Sequence, residues 1–472
     1  MMSKSKHVGV ISYNSVIRDA RILKEADSIA SNGFDVHIFG LADNNTPSDY
    51  EKVRKSGVKI TLLEKPEGIQ RYDKLVSNSL KIVKRIIQTI TYLVYVFFSY
   101  LIISNVDAKF IIFGTMISFP ILFKKRRAIR NIVTKSVNTL SNKIHSYIKS
   151  LTFVYREKVL KKYRQQSLVE AASNFEFDII HCHDMMTLDV GVEIKKSKGS
   201  HLVWDAHEIY EDVAQASDAK KQQYKEILQQ NEEYVDSFIT INDSIANFYK
   251  ENYPKLPKAN IIKNATVYTG DVTYDGRLHD MAGLRRDQNI LLYQGGFAKK
   301  RGLDILIESA QYLPDNWTLV MMGWGNYEDH LRKLAGEHTL KSDDRENPRI
   351  VFIPPAPHAE LSLWTAGAAI GVIPYELFGL NHLYCTPNKL WEYPASGVPI
   401  LCSGMLEMKY SVEKDDIGWV IPQVFTSKDI SDVVNNLKLD TLHQKRSNCL
   451  QYIKKDNWSL YEKRLVNLYK EI

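Results

Sequence analysis

A short stretch in the C-terminal third combines groups that could bind a phosphate and a sugar hydroxyl. Residues 386–399 have the sequence TPNKLWEYPASGVP. Thr386 suits a helix cap, Pro387 the first helical position and Gly397 the stop, which predicts a short helix with an open N-terminus. Unpaired N–H groups there favour a phosphate, and the carboxylate of Glu392 behind them suits a ribose. An ordinary capped helix with a solvated Glu392 is the alternative.

A second phosphate signal precedes this stretch along the chain. Residues 289–294 form an apolar run that predicts a strand, and Gly295 and Gly296 follow it directly. Bare backbone at two glycines lets N–H groups approach an anion. Lys300 and Arg301 come next, and a guanidinium can hold a phosphate through two hydrogen bonds. This strand, turn and basic cluster therefore predict a phosphate-binding turn that leads into a helix.

Polar side chains also follow two strands predicted in the N-terminal half. His181 and His183 lie two residues apart in FDIIHCHD, and His207 and Glu208 end the run HLVWDAHE. Residues two apart on a strand share a face. A metal site is conceivable, but nothing beyond His-x-His spacing supports one, so contact with a substrate hydroxyl is favoured. Local pairing of polar strand ends remains the structural alternative.

The elements that must position these groups form two similar series. Apolar runs and helical stripes over residues 7–40 indicate a βαβ opening, and a second such series begins at residue 289. Residues 267–288 carry turn residues without a clear period, which predicts an interdomain linker. The loop at residues 12–17 lacks G-x-G-x-x-G, which argues against a nicotinamide or flavin cofactor. We expect an α/β protein with two parallel sheets and a cleft between them.

An insert interrupts the first series. Residues 86–106 and 110–123 contain no charged side chain, and residues 124–164 carry thirteen Lys or Arg and one acid, a local charge of +12. Because the chain as a whole is only +7, the remainder is acidic. Basic flanks on both sides predict a re-entrant or interfacial membrane hairpin over residues 86–123. A hairpin buried against the sheet, or a partner interface, is the alternative.

Composition narrows the setting. The basic stretch lacks a recognisable nucleic-acid module and the rest of the chain is acidic, so no nucleic-acid partner is expected. Four cysteines without C-x-x-C spacing indicate a reducing compartment, and the first residues lack an apolar signal region. We therefore expect a cytoplasmic protein, peripherally or monotopically associated with a membrane surface through residues 86–164.

Several motifs together resemble one known family. RDARILKEADSIASNGFDVHIF, DIIHCHD, WDAHE, YQGGFAKKRGLDILIES, MMGWG, VFIPP and PNKLWEYPASGVPIL occur in this order over residues 6–402, apart from the insert at about 65–170. They resemble the retaining nucleotide-sugar glycosyltransferases of family 4, the glycosyl transferases group 1. That family has the GT-B fold of two facing Rossmann-like domains. The resemblance implies an acceptor-side domain over residues 1–270 and a nucleotide-sugar domain over 271–455. A helix at 456–472 should pack back towards the N-terminal domain.

The resemblance also implies roles for individual residues. His207, Arg301 and Glu392 are the expected catalytic positions. The donor would be held by Gly295, Gly296, Lys300, Arg301, Gly323, Pro354, Pro355, Thr386, Pro387, Asn388, Lys389 and Glu392, with Glu392 at the ribose, Arg301 at the diphosphate and residues 354–356 at the base. The acceptor side would include Asn14, Arg18, His183, Asp205, His207 and Glu208.

The sequence departs from the family at three of its usual positions. The first of two glutamates eight residues apart is replaced by Tyr384, an arginine by Gly296 and a lysine by Arg301. Glu376 could replace the missing carboxylate only if its loop folds back. These departures leave open which side chains select the sugar.

The implied reaction is a retaining transfer of a sugar from a UDP- or GDP-linked donor. No cofactor is expected, and the absence of a D-x-D motif disfavours a metal-held diphosphate. A lipid-linked or cell-surface polysaccharide precursor is the expected acceptor, given the hairpin. The alternatives are a sugar-nucleotide epimerase, a hydrolase or phosphorylase of the same fold, and a non-catalytic binding member of a transferase complex.

Overall fold

The computed structural model describes residues 5–43 except 18, 51–64, 162–213, 216–339 and 348–472, with a few single residues between 78 and 93. The hairpin predicted over residues 86–123 and the basic stretch behind it lie outside the described residues, apart from those single positions and the end of the stretch. In the part of the chain that is described, no helix has the length and apolar character needed to cross a membrane.

The chain divides into two compact units. One is formed by Met1–Gly40, Tyr50–Thr61 and Ala171–Ile472, and the other by Leu41–Asp49 and Leu62–Glu170. The first unit contains most of the described residues and all the candidate site residues discussed below.

The first sheet has eight strands in the order β3-β4-β2-β1-β5-β6-β7-β8. All the strand pairs described in it run parallel except β3 with β4. Its strands are β1 (His7–Ile11), β2 (Asp35–Leu41), β3 (Glu51–Val53), β4 (Lys59–Leu63), β5 (Ile179–His183), β6 (His201–Asp205), β7 (Ser237–Thr240) and β8 (Ala259–Ile261). Strands β1, β5, β6 and β7 are almost wholly buried, which explains their continuous apolar runs.

Among the helices whose bounds are described, four connect strands of this sheet. They are α1 (Ala20–Ser31), α2 (Met185–Lys198), α3 (Asp218–Asn231) and α4 (Asp243–Asn252). Helix α1 begins at residue 20 because the side chain of Asp19 accepts a hydrogen bond from the backbone N–H of Ile22, so Asp19 is its cap. The apolar stripe predicted for this helix packs inwards, with Ile22 and Ile29 buried.

The second sheet has six strands in the order β11-β10-β9-β12-β13-β14, and every described pair is parallel. Its strands are β9 (Asn289–Gly296), β10 (Trp317–Trp324), β11 (Ile350–Ile353), β12 (Ile370–Ile373), β13 (Ile400–Ser403) and β14 (Gly418–Ile421). Two Rossmann-like sheets, one parallel in every described pair and one parallel except at β3 and β4, have covering helices and confirm the predicted α/β fold class.

The first helix of the second half lies inside the predicted linker, and nine further helices with described bounds follow it. They are α5 (Arg277–Ala282), α6 (Leu303–Ser309), α7 (Glu328–Thr339), α8 (Leu361–Thr365), α9 (Gly379–Leu383), α10 (Lys389–Ala395), α11 (Leu406–Lys414), α12 (Ser427–Asn435), α13 (Leu439–Lys455) and α14 (Trp458–Glu471). The prediction that residues 267–288 form only a linker is wrong at α5, because buried His279 joins the hydroxyl of Tyr274 and the carbonyl of Gln288.

The last helix, α14, returns to the first sheet. The indole Nε1 of Trp458 donates to the hydroxyl of Ser28 on α1 at 3.0 Å. The hydroxyl of Tyr469 lies 2.7 Å from Nδ1 of His181 on β5, and its ring meets Phe34 edge-on. These contacts tie the C-terminus of the chain to its N-terminal half.

Candidate functional site

A cleft of about 780 Å³ lies between the carboxyl ends of strands from both sheets. Its first wall includes Asp19, Arg21, His207, Glu208 and Asn264. Its second wall includes Gln294, Gly295, Arg301, Trp324, Pro355, Ala356, Tyr375, Asn381, His382, Cys385, Thr386, Pro387, Asn388, Lys389 and Glu392. Carboxyl ends of parallel strands are where such sheets bind ligands.

Two cations lie close together in the second wall. The Nζ of Lys389 lies 5.4 Å from the ring centre of Tyr293 and 5.9 Å from that of Tyr375, and Lys389 is only 7% exposed. Arg301 lies over the Tyr375 ring at 5.5 Å and donates to the carbonyl of Gly296 at 3.3 Å. Among the residues described, no carboxylate lies within ion-pair distance of either cation. Two cations facing one cleft without a counter-charge favour an anionic ligand.

The backbone at Gly295 permits this close approach. Gly295 has a φ of +121°, and a Cβ placed there would lie 3.1 Å from the Nζ of Lys389. A side chain would therefore be strained at this φ and would crowd the lysine. The bare turn predicted from the sequence thus leaves room for the lysine side chain and for a ligand beside it.

Glu392 is fixed by a chain of side-chain hydrogen bonds. Gln294 donates from Nε2 to Oε2 of Glu392 at 2.9 Å, and Thr365 donates to Oε1 of Gln294 at 2.7 Å. Glu392 also borders a neighbouring cavity of about 670 Å³. A carboxylate oriented in this way can accept hydrogen bonds from a diol such as a ribose.

The helix that carries Glu392 is shorter than predicted. It begins at Lys389, with Asn388 rather than Thr386 at the cap position, and Glu392 lies in its first turn. Gly397 has a φ of +67° just beyond the helix, as the predicted stop requires. The hydroxyl of Thr386 lies buried in the cleft wall and has no hydrogen-bond partner within the described ranges, so its predicted cap role is wrong.

His207 in the opposite wall forms an ion pair. Its Nε2 lies 3.0 Å from Oδ1 of Asp184, which also accepts a hydrogen bond from the hydroxyl of Tyr210 at 2.7 Å. The Asp184 carboxylate raises the pKa of His207 to about 9, against the opposing effect of burial. Its Nδ1 is enclosed and has no partner in the described part of the chain. His207 therefore presents a charged donor to the cleft at neutral pH.

Two acceptor-side residues named from the sequence lie behind the cleft wall. His183 and Asp205 are completely buried, and Nδ1 of His183 lies 3.2 Å from Oδ2 of Asp205. Asp205 also receives two hydrogen bonds from the guanidinium of Arg21. Among the acceptor-side residues, His207 and Glu208 line the cleft. Asn14 does not border it but donates a hydrogen bond to Asp19, which does, and Arg18 lies outside the described residues.

Several donor-side residues are also displaced from the cleft lining. Gly296, Lys300, Gly323 and Pro354 are not among the residues that border it. Lys300 has a φ of +65°, and its Nζ lies 3.5 Å from Oε2 of Glu376. Glu376 pairs with this lysine and accepts from the N–H of Gly302 at 3.3 Å, so its loop does not return the carboxylate to the described cleft wall.

The structure adds residues that the sequence analysis did not name. Gln294 orients Glu392, Tyr375 lies beneath both cations, and Asp184 pairs with His207. Gln294 is adjacent to the glycine turn and Asp184 follows His183 at the end of a strand, so strand-end position could have identified both. Tyr375 follows β12 by two residues, which is the same signal.

Comparison with known proteins agrees with this architecture. Residues 277–456 match the family model described as Glycosyl transferases group 1. An uncharacterized glycosyltransferase, MJ1607, of Methanocaldococcus jannaschii is 24% identical over 335 residues, covering 62% of this chain and 75% of the relative.

Solved structures match over nearly the whole chain. Sucrose-phosphate synthase from Thermosynechococcus elongatus has a TM-score of 0.62 at 14% identity, covering 99% of this chain and 98% of that protein. Anabaena Alr3699/HepE, solved in complex with UDP-glucose, has a TM-score of 0.62 at 10% identity, covering 99% and 100%. At such identities these likenesses establish the fold, and the family match supports glycosyl transfer as the reaction. The chain therefore has the GT-B fold, and its resemblance to the glycosyl transferases group 1 is confirmed.

Proposed function

We propose that the protein is a retaining, hexosyltransferase-type glycosyltransferase that takes a sugar from a UDP- or GDP-linked donor. The proposal rests on one observation: Arg301, Lys389 and Glu392 line the same cleft. The two cations have no carboxylate partner among the described residues. A diphosphate would supply the missing negative charge, and Glu392 would accept from the ribose. The UDP-glucose complex of the Anabaena protein, which has the same fold, supports this type of donor.

The cations would act on the leaving group. Breaking the bond between sugar and diphosphate builds negative charge on the departing phosphate, which Arg301 and Lys389 would stabilise as groups already in place. The ring of Tyr375 lies within cation–π distance of both side chains. We propose that this stabilisation needs no metal, which agrees with the absence of a D-x-D motif in the sequence.

His207 would serve the transferred sugar or the acceptor. Nδ1–H of its imidazolium has no partner among the residues that the structure describes, so it can donate to a hydroxyl that enters the cleft. In a retaining transfer the acceptor would attack on the face from which the diphosphate leaves, and no enzyme nucleophile is assigned. Closure of the cleft would exclude water and limit hydrolysis of the donor.

The acceptor proposed is a lipid-linked or cell-surface polysaccharide or oligosaccharide precursor. Its support is compositional: the charge-free runs at 86–106 and 110–123 and the basic residues at 124–164 suit an anionic membrane surface. A cytoplasmic protein held at that surface would meet both a soluble donor and a lipid-linked acceptor.

Titration of the full chain with UDP-, GDP- and dTDP-sugars tests the donor proposal through heat stabilisation. A true donor at about a hundred times its dissociation constant adds roughly 2.7 kcal/mol, a readily measured shift in melting temperature. We expect one nucleotide class to stabilise the wild type and, at the same concentration, to stabilise Arg301→Ala and Glu392→Ala clearly less. Stabilisation unchanged in both variants would overturn the site.

Transfer is tested separately with the selected donor and a membrane fraction that supplies lipid-linked acceptors. A product with the same anomeric configuration as the donor would show retention, and a product with the opposite configuration would show inversion. Donor binding without transfer to any acceptor fraction would favour the non-catalytic member of a complex, for which the replacement of the first glutamate by Tyr384 is the supporting observation. Transfer with inversion would refute the retaining proposal.

A further inference from the structure

Three buried side chains point nitrogen or oxygen atoms at one another behind the cleft wall. The Nε2 atoms of His181 and His183 lie 3.9 Å and 3.8 Å from Oε2 of Glu25. None of these atoms has a hydrogen-bond partner among the described residues, and the three side chains are at most 1% exposed. A buried polar atom without a partner is costly, so three converging on one point need an occupant.

The opposite nitrogen of each imidazole already has a neighbour. Nδ1 of His181 shares a hydrogen bond of 2.7 Å with the hydroxyl of Tyr469, and Nδ1 of His183 lies 3.2 Å from Oδ2 of Asp205. Metal-binding histidines usually direct their second nitrogen to a carboxylate or another acceptor, which fixes the ring and leaves the other nitrogen free as a ligand. Both rings are oriented in this way.

The spacing suits an ion rather than direct hydrogen bonds. Distances of 3.8 and 3.9 Å are too long for a hydrogen bond from imidazole to carboxylate. Zinc bonds of about 2.0–2.2 Å to nitrogen and oxygen place two tetrahedral ligands roughly 3.4 Å apart. A contraction of about half an ångström in these two distances, with rotation of the stacked imidazole rings of His181 and His183, would bring the three side chains to ligand spacing.

The local charges leave one carboxylate insufficiently balanced. Arg21 donates to both oxygens of Asp205, at 2.7 and 2.9 Å, and these two charges offset each other. Oε1 of Glu25 lies 3.1 Å from the same Nη2 of Arg21, which Asp205 already shares, while Oε2 of Glu25 faces the two imidazoles. A buried carboxylate in this position favours a further cation at Oε2.

We propose that Glu25, His181 and His183 bind a buried divalent transition-metal ion, with zinc as the ion that this ligand set suits. Two imidazoles and one carboxylate match zinc ligation, and the fourth position would hold a water molecule. The ion would join α1 to β5 and, through His181 and Tyr469, would fix helix α14. Its role would be structural and separate from the donor-binding groups.

The test measures metal in the full wild-type chain expressed with zinc in the medium. After removal of loosely held ions, we expect close to one zinc per chain by mass spectrometry. Stripping with dipicolinate should lower the melting temperature, and one equivalent of zinc should restore it by about 5–10 °C. A chain without zinc that is not stabilised by added zinc or cobalt would show that water or a proton occupies the site, and would overturn the proposal.

Matched variants locate the ion. Glu25→Gln and His183→Gln keep side-chain polarity but weaken ligation, so both should lose the zinc. His37→Gln is the control, since His37 lies on β2 of the same sheet and contacts Thr61 instead of the cluster. Zinc retained in all three variants would place it elsewhere and refute the assignment.

X-ray absorption of the wild-type zinc protein gives a readout that does not depend on how the variants fold. The spectrum should show two imidazole shells and oxygen, without sulfur. Cys182 lies between the two histidines in sequence, and three further free cysteines are present. Sulfur in the coordination shell would therefore mean cysteine ligation and would contradict the proposed ligands.

Discussion

Nε2 of His207 lies 3.0 Å from Oδ1 of Asp184, a residue whose φ of +68° is rare for a non-glycine residue. The strand-end backbone thus turns the carboxylate towards the next strand, where β6 leads into His207. Tyr210 donates to the same oxygen at 2.7 Å and helps to hold it. Of the two histidines that the sequence analysis assigned to the site, His207 is the one that lines the cleft. Its pairing with Asp184 determines the charge of the imidazole.

The pair predicts a pH dependence. The pKa of His207 is raised to about 9 from its usual 6.5, so its ion pair stabilises the folded chain fully below about pH 6.5 and loses that effect as the pH rises through about 9. If the imidazolium donates to a bound ligand, donor affinity or transfer should fall over the same upper range. In Asp184→Asn the fall should move towards pH 6.5, measured by NMR titration of the ring and by the pH profile of kcat/KM.

His207→Gln supplies the control for this prediction. A glutamine can still donate a hydrogen bond but does not titrate, so this part of the profile should become flat. An Asp184→Asn profile that coincides with the wild type would show that another group causes the fall.

Replacing either of the paired cations, Arg301 or Lys389, should weaken donor binding. Removing Arg301 or Lys389 takes a charge-assisted hydrogen bond from the diphosphate, about 1.5–3 kcal/mol, or roughly a 10- to 150-fold rise in Kd. Calorimetric titration of Arg301→Ala and Lys389→Met with the selected nucleoside diphosphate measures it. The exposed neighbour Lys299 is the matched control, and Lys299→Ala should bind as the wild type does. Equal losses in all three variants would indicate a long-range charge effect instead.

Glu392 predicts discrimination at the ribose. If its carboxylate accepts from a ribose hydroxyl, the wild type should bind a nucleoside diphosphate about ten times or more tightly than its 2′- or 3′-deoxy analogue. Glu392→Ala should bind all these ligands alike, because the acceptor is gone. Competition titrations compare the ligands within one protein, which cancels effects of the substitution on folding. Discrimination that persists in Glu392→Ala would assign the ribose to another group.

Much of the cleft could be predicted because parallel strands bring their carboxyl ends to one edge of a sheet. Gly295, Arg301 and His207 follow from that rule, applied to apolar runs that end in polar residues, whereas Glu392 follows from the helix signals of residues 386–397. The same rule misplaced His183 and Asp205, since both are still within strands and point into the interior. A difference of one or two positions at the end of a strand therefore determines whether a side chain lines the cleft or is buried in the core.

Side-chain direction could not be predicted where the backbone departs from common conformations. Lys300 and Arg301 are neighbours, but the φ of +65° at Lys300 directs its ammonium to Glu376, while Arg301 turns to Tyr375. Long-range pairs were equally hidden. Glu25 meets His181 across 156 positions of chain, and no local period records such a contact.

The side chain of Asn381 links the two walls of the cleft. Its side chain accepts from the N–H of Ile209 and donates to the carbonyl of the same residue, both at 2.7 Å, and thereby joins the loop after β6 to helix α9. Asn381→Ala should remove both bonds, at a cost of about 1–3 kcal/mol to the closed arrangement, and so raise the Kd for donor by roughly 5- to 150-fold. Asn436→Ala, which removes a hydrogen bond within one exposed helix end, is the control. Without donor, small-angle scattering should show a larger radius of gyration for Asn381→Ala than for the wild type. Saturating donor should restore the wild-type value, because binding favours closure. Identical scattering and affinity in wild type and variant would mean that other contacts hold the cleft closed.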